Sequence, residues 1–145
     1  MKITQTFFAM LVLGFIFLNV SAEEQKGNLT VIVKGLRNDK GSVFSALYNS
    51  EKDFLTKKVF AYKIANIQNG SARMEFSDLP YGIYAIACFH DENNNRKFDK
   101  GAFSIPLEGY GFSNDAKVVM APPSFKDASL NINTQAKEII ITVRY

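Results

Sequence analysis

Side chains that carry oxygen recur at alternate positions in one short stretch of the chain. Numbered from the first acidic residue of that stretch, loop positions one, three, five and nine are Asp91, Asn93, Asn95 and Asp99. The backbone carbonyl of Lys97 falls at position seven. EF-hand-type loops surround calcium with this spacing, because a hard cation takes several oxygen ligands. The sequence therefore predicts a calcium site here, and calcium is the only cofactor it suggests.

Two positions depart from the calcium pattern and leave a second interpretation open. Arg96 stands where the turn prefers glycine, and Ala102 stands where a bidentate glutamate normally completes the calcium shell. Basic neighbours balance the acidic groups, so a calcium site here would be weak, with a Kd of about 10⁻⁴–10⁻³ M. Glu108, in the next loop, is a candidate for the missing ligand. The alternative is an Asx-rich turn that satisfies its own backbone without metal.

The chain has one histidine and one cysteine, which limits its catalytic chemistry. His90 precedes Asp91, and a neighbouring carboxylate can orient a histidine as a general base. No nucleophile can be paired with His90 from the sequence, so no catalytic residue is assigned and a structural histidine is favoured. Cys88 lies in an apolar run, which predicts a small buried side chain and not a thiolate or a zinc ligand.

Aromatic residues are frequent in the segment that follows the loop. They are Phe103, Tyr110, Phe112 and Phe125. Such residues either line a ligand groove or pin a long segment to the rest of the domain. The sequence-based candidates for ligand binding are His90, Glu108, Tyr110 and Phe112.

The element that must position the loop is the apolar run over 83–90. This run is apolar at both odd and even positions, which predicts a central strand covered on both faces. Pro80 and Gly82 precede it and predict a turn in which proline sets φ and glycine takes a positive φ.

The rest of the chain is rich in short β patterns and poor in helical ones. β-Branched or alternating apolar residues predict further strands over 29–33, 42–48, 59–67, 72–76, 128–132 and 138–145. Ser50 predicts the cap of one helical turn over 51–55, and Asn69-Gly70 predicts a hairpin between two strands. The stretch 91–127 has no long regular run, although 118–120 is a candidate short strand. These patterns predict an all-β fold, a Greek-key β-sandwich of about seven strands, with a barrel as the alternative.

The chain divides into a leader and one domain. Residues 1–22 combine Lys2, an apolar run over 7–18 and small residues before Ala22, which is typical of a cleaved signal peptide. An uncleaved N-terminal anchor is the alternative. Residues 23–145 are enough for a single β-sandwich domain with its own core. We therefore expect a periplasmic or secreted protein with no transmembrane segment after cleavage.

The charge of the chain argues against nucleic acid as a partner. The formal net charge is only +3, and the basic residues are scattered rather than clustered. Nucleic-acid-binding surfaces concentrate positive charge on one face, often with aromatic residues between the basic ones.

Four pieces of the sequence together resemble a known family. They are DLPYGIYA at 78–85, HDEN at 90–93, IPLEGYGFSN at 105–114 and PPSF at 122–125. Over roughly 28–145 the chain resembles an uncharacterised bacterial exported family, domain-of-unknown-function family 2141, in which the position of Arg96 is usually glycine. The Leu79-Pro80-x-Gly82-x-Tyr84 piece is also similar to prealbumin-like and Cna-B-like sandwich modules. That similarity implies a seven-stranded Greek-key sandwich but no activity, since this fold carries many functions.

Three hypotheses for function follow. The first is an exported, non-catalytic β-sandwich module that binds a partner protein or a small ligand through loops 91–99 and 101–114, with calcium stabilising the first loop. The second is a hydrolase or isomerase that uses His90 with Asp91 or Glu108. The third is a structural component of the cell envelope.

Overall fold

The computed structural model describes residues 23–145, so the predicted signal peptide over 1–22 lies outside the described residues. Eight strands follow one another: β1 Lys26–Lys34, β2 Ser42–Tyr48, β3 Ala61–Asn66, β4 Ser71–Pro80, β5 Gly82–Asp91, β6 Tyr110–Phe112, β7 Ser129–Ile132 and β8 Ala136–Thr142. Single 3₁₀ turns lie at Glu51–Asp53, Ala102–Ser104 and Ser113–Asp115. A one-turn helix, α1, covers Phe125–Ala128.

The strands form two sheets that pack face to face. One sheet has the order β4-β1-β8, with β1 antiparallel to β4 and parallel to β8. The other has the order β3-β2-β5, and β6 and β7 share the far edge of β5. The predicted all-β sandwich is confirmed, with eight strands where about seven were expected. The barrel alternative is wrong.

The core between the sheets is built from alternate residues of each strand. On β1 these are Leu29, Val31 and Val33, all fully buried. They lie in one hydrophobic cluster with Phe76 of β4 and Ile86 of β5. Because successive strand residues point to opposite faces, the period-two pattern in the sequence delivers these side chains to one interior.

Strand β5 is central, as predicted. It pairs with β2 along one edge, from Ser42 opposite Asp91 to Tyr48 opposite Ala85. Strands β6 and β7 pair along its other edge. Its even residues face the core, and its odd residues lie under a second, outer layer of aromatic side chains. Paired on both edges, β5 holds its last residue, Asp91, in a fixed position at the base of the Asn-rich loop.

The predicted Pro-Gly turn before β5 is wrong in its details. Strand β4 continues through Pro80, and Asp78, not Gly82, takes the positive φ, at 55°. Proline is tolerated here because β4 is an edge strand, where a missing backbone N–H breaks no ladder bond.

The Asn69-Gly70 turn forms, but it does not create a paired hairpin. Both residues have positive φ, at 52° and 68°, as a type I′ turn requires. Gln68 and Ser71 form a single isolated bridge across it. Beyond that bridge β3 joins one sheet and β4 the other, so the turn is a corner between the two layers.

The long segment over 91–127 contains different elements from those expected. The candidate strand at 118–120 is wrong, since these residues are exposed and unpaired in the described structure. The segment instead supplies β6 and leads into α1, where Ser124 and Asp127 form a reciprocal capping box. Ser50 does precede a helical turn, at Glu51–Asp53, but its side chain makes no capping hydrogen bond.

Candidate functional site

The Asn-rich loop is organised around the buried carboxylate of Asp91, which is 1% exposed. Its Oδ1 accepts the backbone N–H of Asn95 at 3.0 Å, and its Oδ2 accepts that of Arg96 at 2.7 Å. Asn93 Oδ1 also accepts the Asn95 N–H, and Asn95 Oδ1 accepts the Lys97 N–H at 2.8 Å. The loop is thus a succession of Asx turns whose oxygens satisfy nearby backbone donors.

Asp99 brings the far end of the loop back to its start. The side-chain amide of Asn93 donates to Asp99 Oδ2 at 2.7 Å, and that of Asn95 donates to both carboxylate oxygens, at 3.0 and 2.9 Å. The structure therefore brings together the four side chains that the sequence predicted. Lys97 joins them through its backbone N–H.

The backbone at Arg96 adopts the left-handed conformation that calcium-binding loops usually place at a glycine. Its φ is 61°, in the left-handed region that costs a non-glycine residue about 1–2 kcal/mol. The turn is retained because the Arg96 N–H is bonded to the buried carboxylate of Asp91.

Glu108 clamps the two ends of the loop. This residue is 5% exposed; its Oε1 accepts the N–H of Glu92 at 3.1 Å and its Oε2 accepts the N–H of Asp99 at 3.0 Å. The sequence suggested Glu108 as a further calcium ligand. The structure places it at the loop, with its carboxylate engaged by backbone donors.

The donor set of the loop suits a hard cation, but its oxygens already have partners. Across residues 23–145, no group of three or more histidine, cysteine, aspartate or glutamate side chains is placed to hold a metal ion. The two loop carboxylates, Asp91 and Asp99, both accept N–H bonds. A cation would have to replace the amide donors around Asp99. The geometry favours the self-satisfied Asx-rich turn.

His90 is fully buried on the core side of β5. Its Nε2 lies 2.7 Å from the carbonyl oxygen of Lys40, and its Nδ1 lies 2.6 Å from the hydroxyl of Tyr145. A carbonyl only accepts, so Nε2 carries a proton, and in the neutral imidazole Nδ1 accepts from the tyrosine hydroxyl. Both ring nitrogens are occupied and shielded from solvent, which counts against the enzymatic alternative.

A polar cluster continues outward from His90. Arg37 Nη2 lies 2.6 Å from Glu92 Oε1, and the Arg37 guanidinium lies 4.5 Å from the centre of the Tyr145 ring. Desolvation acts to raise the pKa of Glu92, but the hydrogen bond from Asn38 and the charge of Arg37 outweigh it, so the pKa lies below its usual value. Burial raises the pKa of Tyr145. These contacts give the cluster a structural role.

Cys88 behaves as a buried apolar side chain, as predicted. It is 3% exposed, and burial raises its pKa to about 12. The thiolate that a nucleophile or metal ligand requires is therefore absent at neutral pH.

A groove with aromatic walls lies on the outer face of the β2-β5-β6 sheet. Its floor is the cross-strand pair Ala46 and Ala87, whose small side chains leave a space of about 340 Å³. Phe44 and Phe89 stack at one end, with ring centres 5.2 Å apart. The remaining walls include Tyr48, Phe98, Tyr110 and Phe112. Lys100 stands at the rim, with its Nζ 5.5 Å from the centre of the Phe98 ring.

The sequence identified only part of this groove. Tyr110 and Phe112 line it, whereas His90 and Glu108 do not. Phe125 packs against Phe54 and pins the segment to the sheet, while Phe103 is 97% exposed. Tyr110 and Phe112 thus line a groove, Phe125 pins the segment, and Phe103 does neither.

The groove residues on β2 and β5 were not identified from the sequence. Their pattern of residue sizes is visible there, but it indicates a groove only when the pairing of the two strands is known. An alanine lies between two aromatic residues in Phe44-x-Ala46-x-Tyr48, and two alanines precede an aromatic residue in Ala85-x-Ala87-x-Phe89. Only the pairing of β2 with β5 aligns the two central alanines into a floor.

These features define an all-β, two-sheet sandwich domain with a self-bonded loop at one end and an apolar groove on one face. The chain belongs to the bacterial family described as uncharacterised protein conserved in bacteria (DUF2141), whose profile matches residues 31–140. This confirms the resemblance noted in the sequence. No curated protein and no solved structure matches the chain. Within the part that the structure describes, no helix is long and apolar enough to cross a membrane.

Proposed function

We propose that this protein is an exported, non-catalytic module that binds a small apolar ligand in the groove on its outer face. The observation that carries the proposal is the alanine floor enclosed by aromatic walls. Export, to the periplasm or the medium, rests on the signal-peptide pattern over 1–22.

The dimensions and lining of the groove suit a flat hydrocarbon or aromatic molecule. Small-molecule sites generally occupy about 300–1,000 Å³, are mainly apolar and carry a few polar groups that orient the ligand. The stacked rings of Phe44 and Phe89 offer a planar surface, and Lys100 offers one positive charge at the mouth. These features favour an apolar ligand that carries an acidic group.

The reactive side chains support a non-catalytic role. His90 is fully buried and does not line the groove. Cys88 borders the groove, but it is 3% exposed and belongs to the core cluster between the sheets. A ligand in the groove would meet aromatic rings and Lys100.

The test fills the groove without changing the rest of the fold. We expect the fluorescence of N-phenyl-1-naphthylamine to rise saturably with the wild-type chain. Ala87→Leu places its larger side chain on the groove floor and should weaken probe binding about tenfold or more. Ala136→Leu, at an exposed position on β8, is the matched control and should bind like the wild type.

Probe titrations that are the same for the wild type and Ala87→Leu would contradict the proposal. Circular dichroism and the urea midpoint of each variant show whether the change is confined to the groove.

A second proposal is that calcium stabilises the Asn-rich loop. It rests on the calcium-loop spacing of Asp91, Asn93, Asn95 and Asp99 and on the left-handed backbone at Arg96, and it requires calcium to displace the amide donors that now occupy Asp99. We expect millimolar calcium to raise the melting temperature relative to chelator, with magnesium as the ionic control.

The most informative variant is Asp99→Asn, because Asp99 is partly exposed and does not hold the Asn95 and Arg96 N–H groups. It should abolish the calcium-dependent rise. Asp91→Ala should abolish it too, but should also lower the melting temperature without calcium. Wild-type melting curves that are identical with calcium and with chelator would remove this second proposal.

A further inference from the structure

A narrow hairpin projects from the end of the Asn-rich loop. The Leu107 N–H donates to the Asp99 carbonyl at 3.0 Å, and the Gly101 N–H donates to the Ile105 carbonyl at 2.8 Å. Lys100 and Pro106 form a bridge between these two bonds. Residues 99–107 thus fold back on themselves, and we call this hairpin the finger.

The tip of the finger exposes apolar side chains. Phe103 is 97% exposed, and Ile105 and Leu107 are more than half exposed. Phe103 also has a φ of 56°, in the left-handed region that a bulky residue seldom adopts. The chain therefore places a large apolar side chain at a convex tip, where neither burial nor backbone preference explains it.

A second exposed apolar segment, at 118–120, is connected to the finger through Tyr110 of β6. Val119 is 84% exposed and Met120 is 99% exposed. The two segments flank the same strand, β6: the Phe98 ring at the base of the finger lies 5.8 Å from the Tyr110 ring, and Val118 borders a small pocket with Tyr110. Exposed apolar groups of this extent are unusual unless they bind something.

Exposed basic side chains lie close in the chain to these apolar tips. The exposed residues of this kind are Arg96, Lys97, Lys100 and Lys117. Of the nearby carboxylates, Glu108 is buried, Asp99 is partly exposed and Asp115 is exposed, so the four exposed basic groups outnumber the two carboxylates that solvent reaches. The net charge of these groups is therefore positive. It would repel a second copy of this chain and attract an anionic surface.

We propose that the finger and the 118–120 segment insert their apolar tips into the headgroup region of an anionic lipid bilayer. Apolar side chains at the tip and basic ones behind it match the two layers of a membrane interface, hydrocarbon below and phosphate above. A convex tip also suits a deformable lipid surface better than a preformed protein pocket. The basic residues would contact lipid phosphates while Phe103 and Met120 enter the acyl boundary.

The first experiment measures flotation with lipid vesicles. The chain from Glu23 to Tyr145 is used, because all eight strands and both hydrophobic clusters lie within it and the apolar leader would bind lipid by itself. Vesicles contain phosphatidylglycerol with phosphatidylcholine, or phosphatidylcholine alone. We expect binding to the anionic vesicles that weakens as salt is added. No binding to the anionic vesicles, or equal binding to both compositions, would overturn the proposal.

Three variants separate the finger from other surfaces. Phe103→Ser should weaken binding to the anionic vesicles about tenfold, and Lys97→Glu should weaken it by a similar factor, about tenfold. Tyr62→Ser, at an exposed aromatic residue of β3, is the control and should bind like the wild type. Binding by Phe103→Ser equal to that of the wild type would overturn the proposal.

The absence of tryptophan from the chain allows a direct test of insertion. Phe103→Trp introduces one indole at the tip of the finger, and Tyr62→Trp introduces one on β3 as the control. With anionic vesicles, only the Phe103→Trp emission should shift to the blue and be quenched by brominated lipid. An unchanged Phe103→Trp spectrum, or equal responses from the two variants, would overturn the proposal.

Lipid binding by the finger and ligand binding in the groove can be tested independently of each other. Ala87→Leu fills the groove but leaves the finger intact, so it should bind anionic vesicles like the wild type. Loss of vesicle binding in that variant would contradict the assignment of lipid binding to the finger.

Discussion

At the scale of single residues, the molecule uses its polar side chains to hold backbone segments together. His90 joins the end of β5 to the Lys40 carbonyl and to Tyr145, and Glu108 joins the two ends of the Asn-rich loop. A buried polar group is costly unless it is hydrogen-bonded, and each of these groups has its partners. His90 and Glu108, whose residue types suggest catalysis in the sequence, therefore form hydrogen bonds that connect separate segments of the backbone.

Removing the hydroxyl of Tyr145 tests this structural role. Tyr145→Phe leaves the buried His90 Nδ1 without its donor and the Arg37 N–H without its acceptor. We expect the free energy of unfolding to fall by about 1–3 kcal/mol, measured by urea denaturation. Tyr62→Phe, which removes an exposed hydroxyl on β3, should change it by less than about 0.5 kcal/mol. Equal effects of the two substitutions would contradict the structural role.

The ion pair of Glu92 with Arg37 predicts a pH dependence of stability. Folding lowers the pKa of Glu92 below 4.5, so the folded state holds the proton less tightly than the unfolded state. The stability from this group is present above pH 4.5 and is lost as the pH falls through the lowered pKa. In Glu92→Gln, the decline of the urea midpoint below pH 4.5 should be shallower than in the wild type. Glu51→Gln, at an exposed position, should keep the wild-type slope, and a wild-type slope in Glu92→Gln would contradict the prediction.

At the scale of elements, the sequence predicts those strands whose apolar period is long enough to be distinctive. Strand β2 has the predicted bounds, and β5 has its predicted central position. Strand β6 was missed because Tyr110-Gly111-Phe112 is too short to show a period. Helix α1 was missed although Ser124 and Asp127 carry the capping-box spacing, because no apolar repeat follows them.

Turn chemistry predicted local conformation better than it predicted pairing. Asn69-Gly70 makes its turn, yet the strands on either side belong to different sheets. The same limit applies to the candidate site. The Asx pattern of 91–99 is local and was found, whereas the groove depends on the register of β2 against β5, which residue spacing alone does not encode.

Close contact between elements predicts an effect at Gly41. Gly41 lies immediately before β2, where the chain comes close to the end of β5, and its φ is 70°. A Cβ added there would overlap the Asp91 carbonyl oxygen and lie 2.7 Å from Glu92 Cα. Gly41→Ala should lower the free energy of unfolding by about 3 kcal/mol or more, because backbone strain and steric overlap add. Urea denaturation measures the loss.

Two other glycines separate these contributions. Gly70 has a similar φ of 68°, but the nearest atom to its added Cβ is the Leu36 carbonyl oxygen at 3.2 Å, a much looser contact than at Gly41, so Gly70→Ala should lose about 1–2 kcal/mol, mainly from backbone strain. Gly82 has no positive φ and an open surrounding, so Gly82→Ala should change stability by less than about 0.5 kcal/mol. Equal losses at Gly41 and Gly70 would show that the contact with Asp91 contributes nothing.

At the scale of the whole molecule, β5 links the core to the outer surface. Its even residues pack in the core between the sheets, and its odd residues form part of the groove floor and walls. Its end also positions the Asn-rich loop, from which the finger extends. Exposing the core side of β5 therefore requires separation of the two sheets, and we expect no smaller opening to uncover it.

Cys88 provides the test of that expectation, because it is the only cysteine and faces the core from β5. With its pKa raised to about 12 by burial, it should react with a disulfide reagent at pH 8 only after unfolding. The labelling rate should rise with urea with the same slope as the global unfolding equilibrium. Ser104→Cys, at the exposed tip of the finger, adds a second thiol that should react at once and serves as the positive control. Labelling of Cys88 that is fast without urea, or independent of urea, would show that β5 opens while the sandwich stays folded.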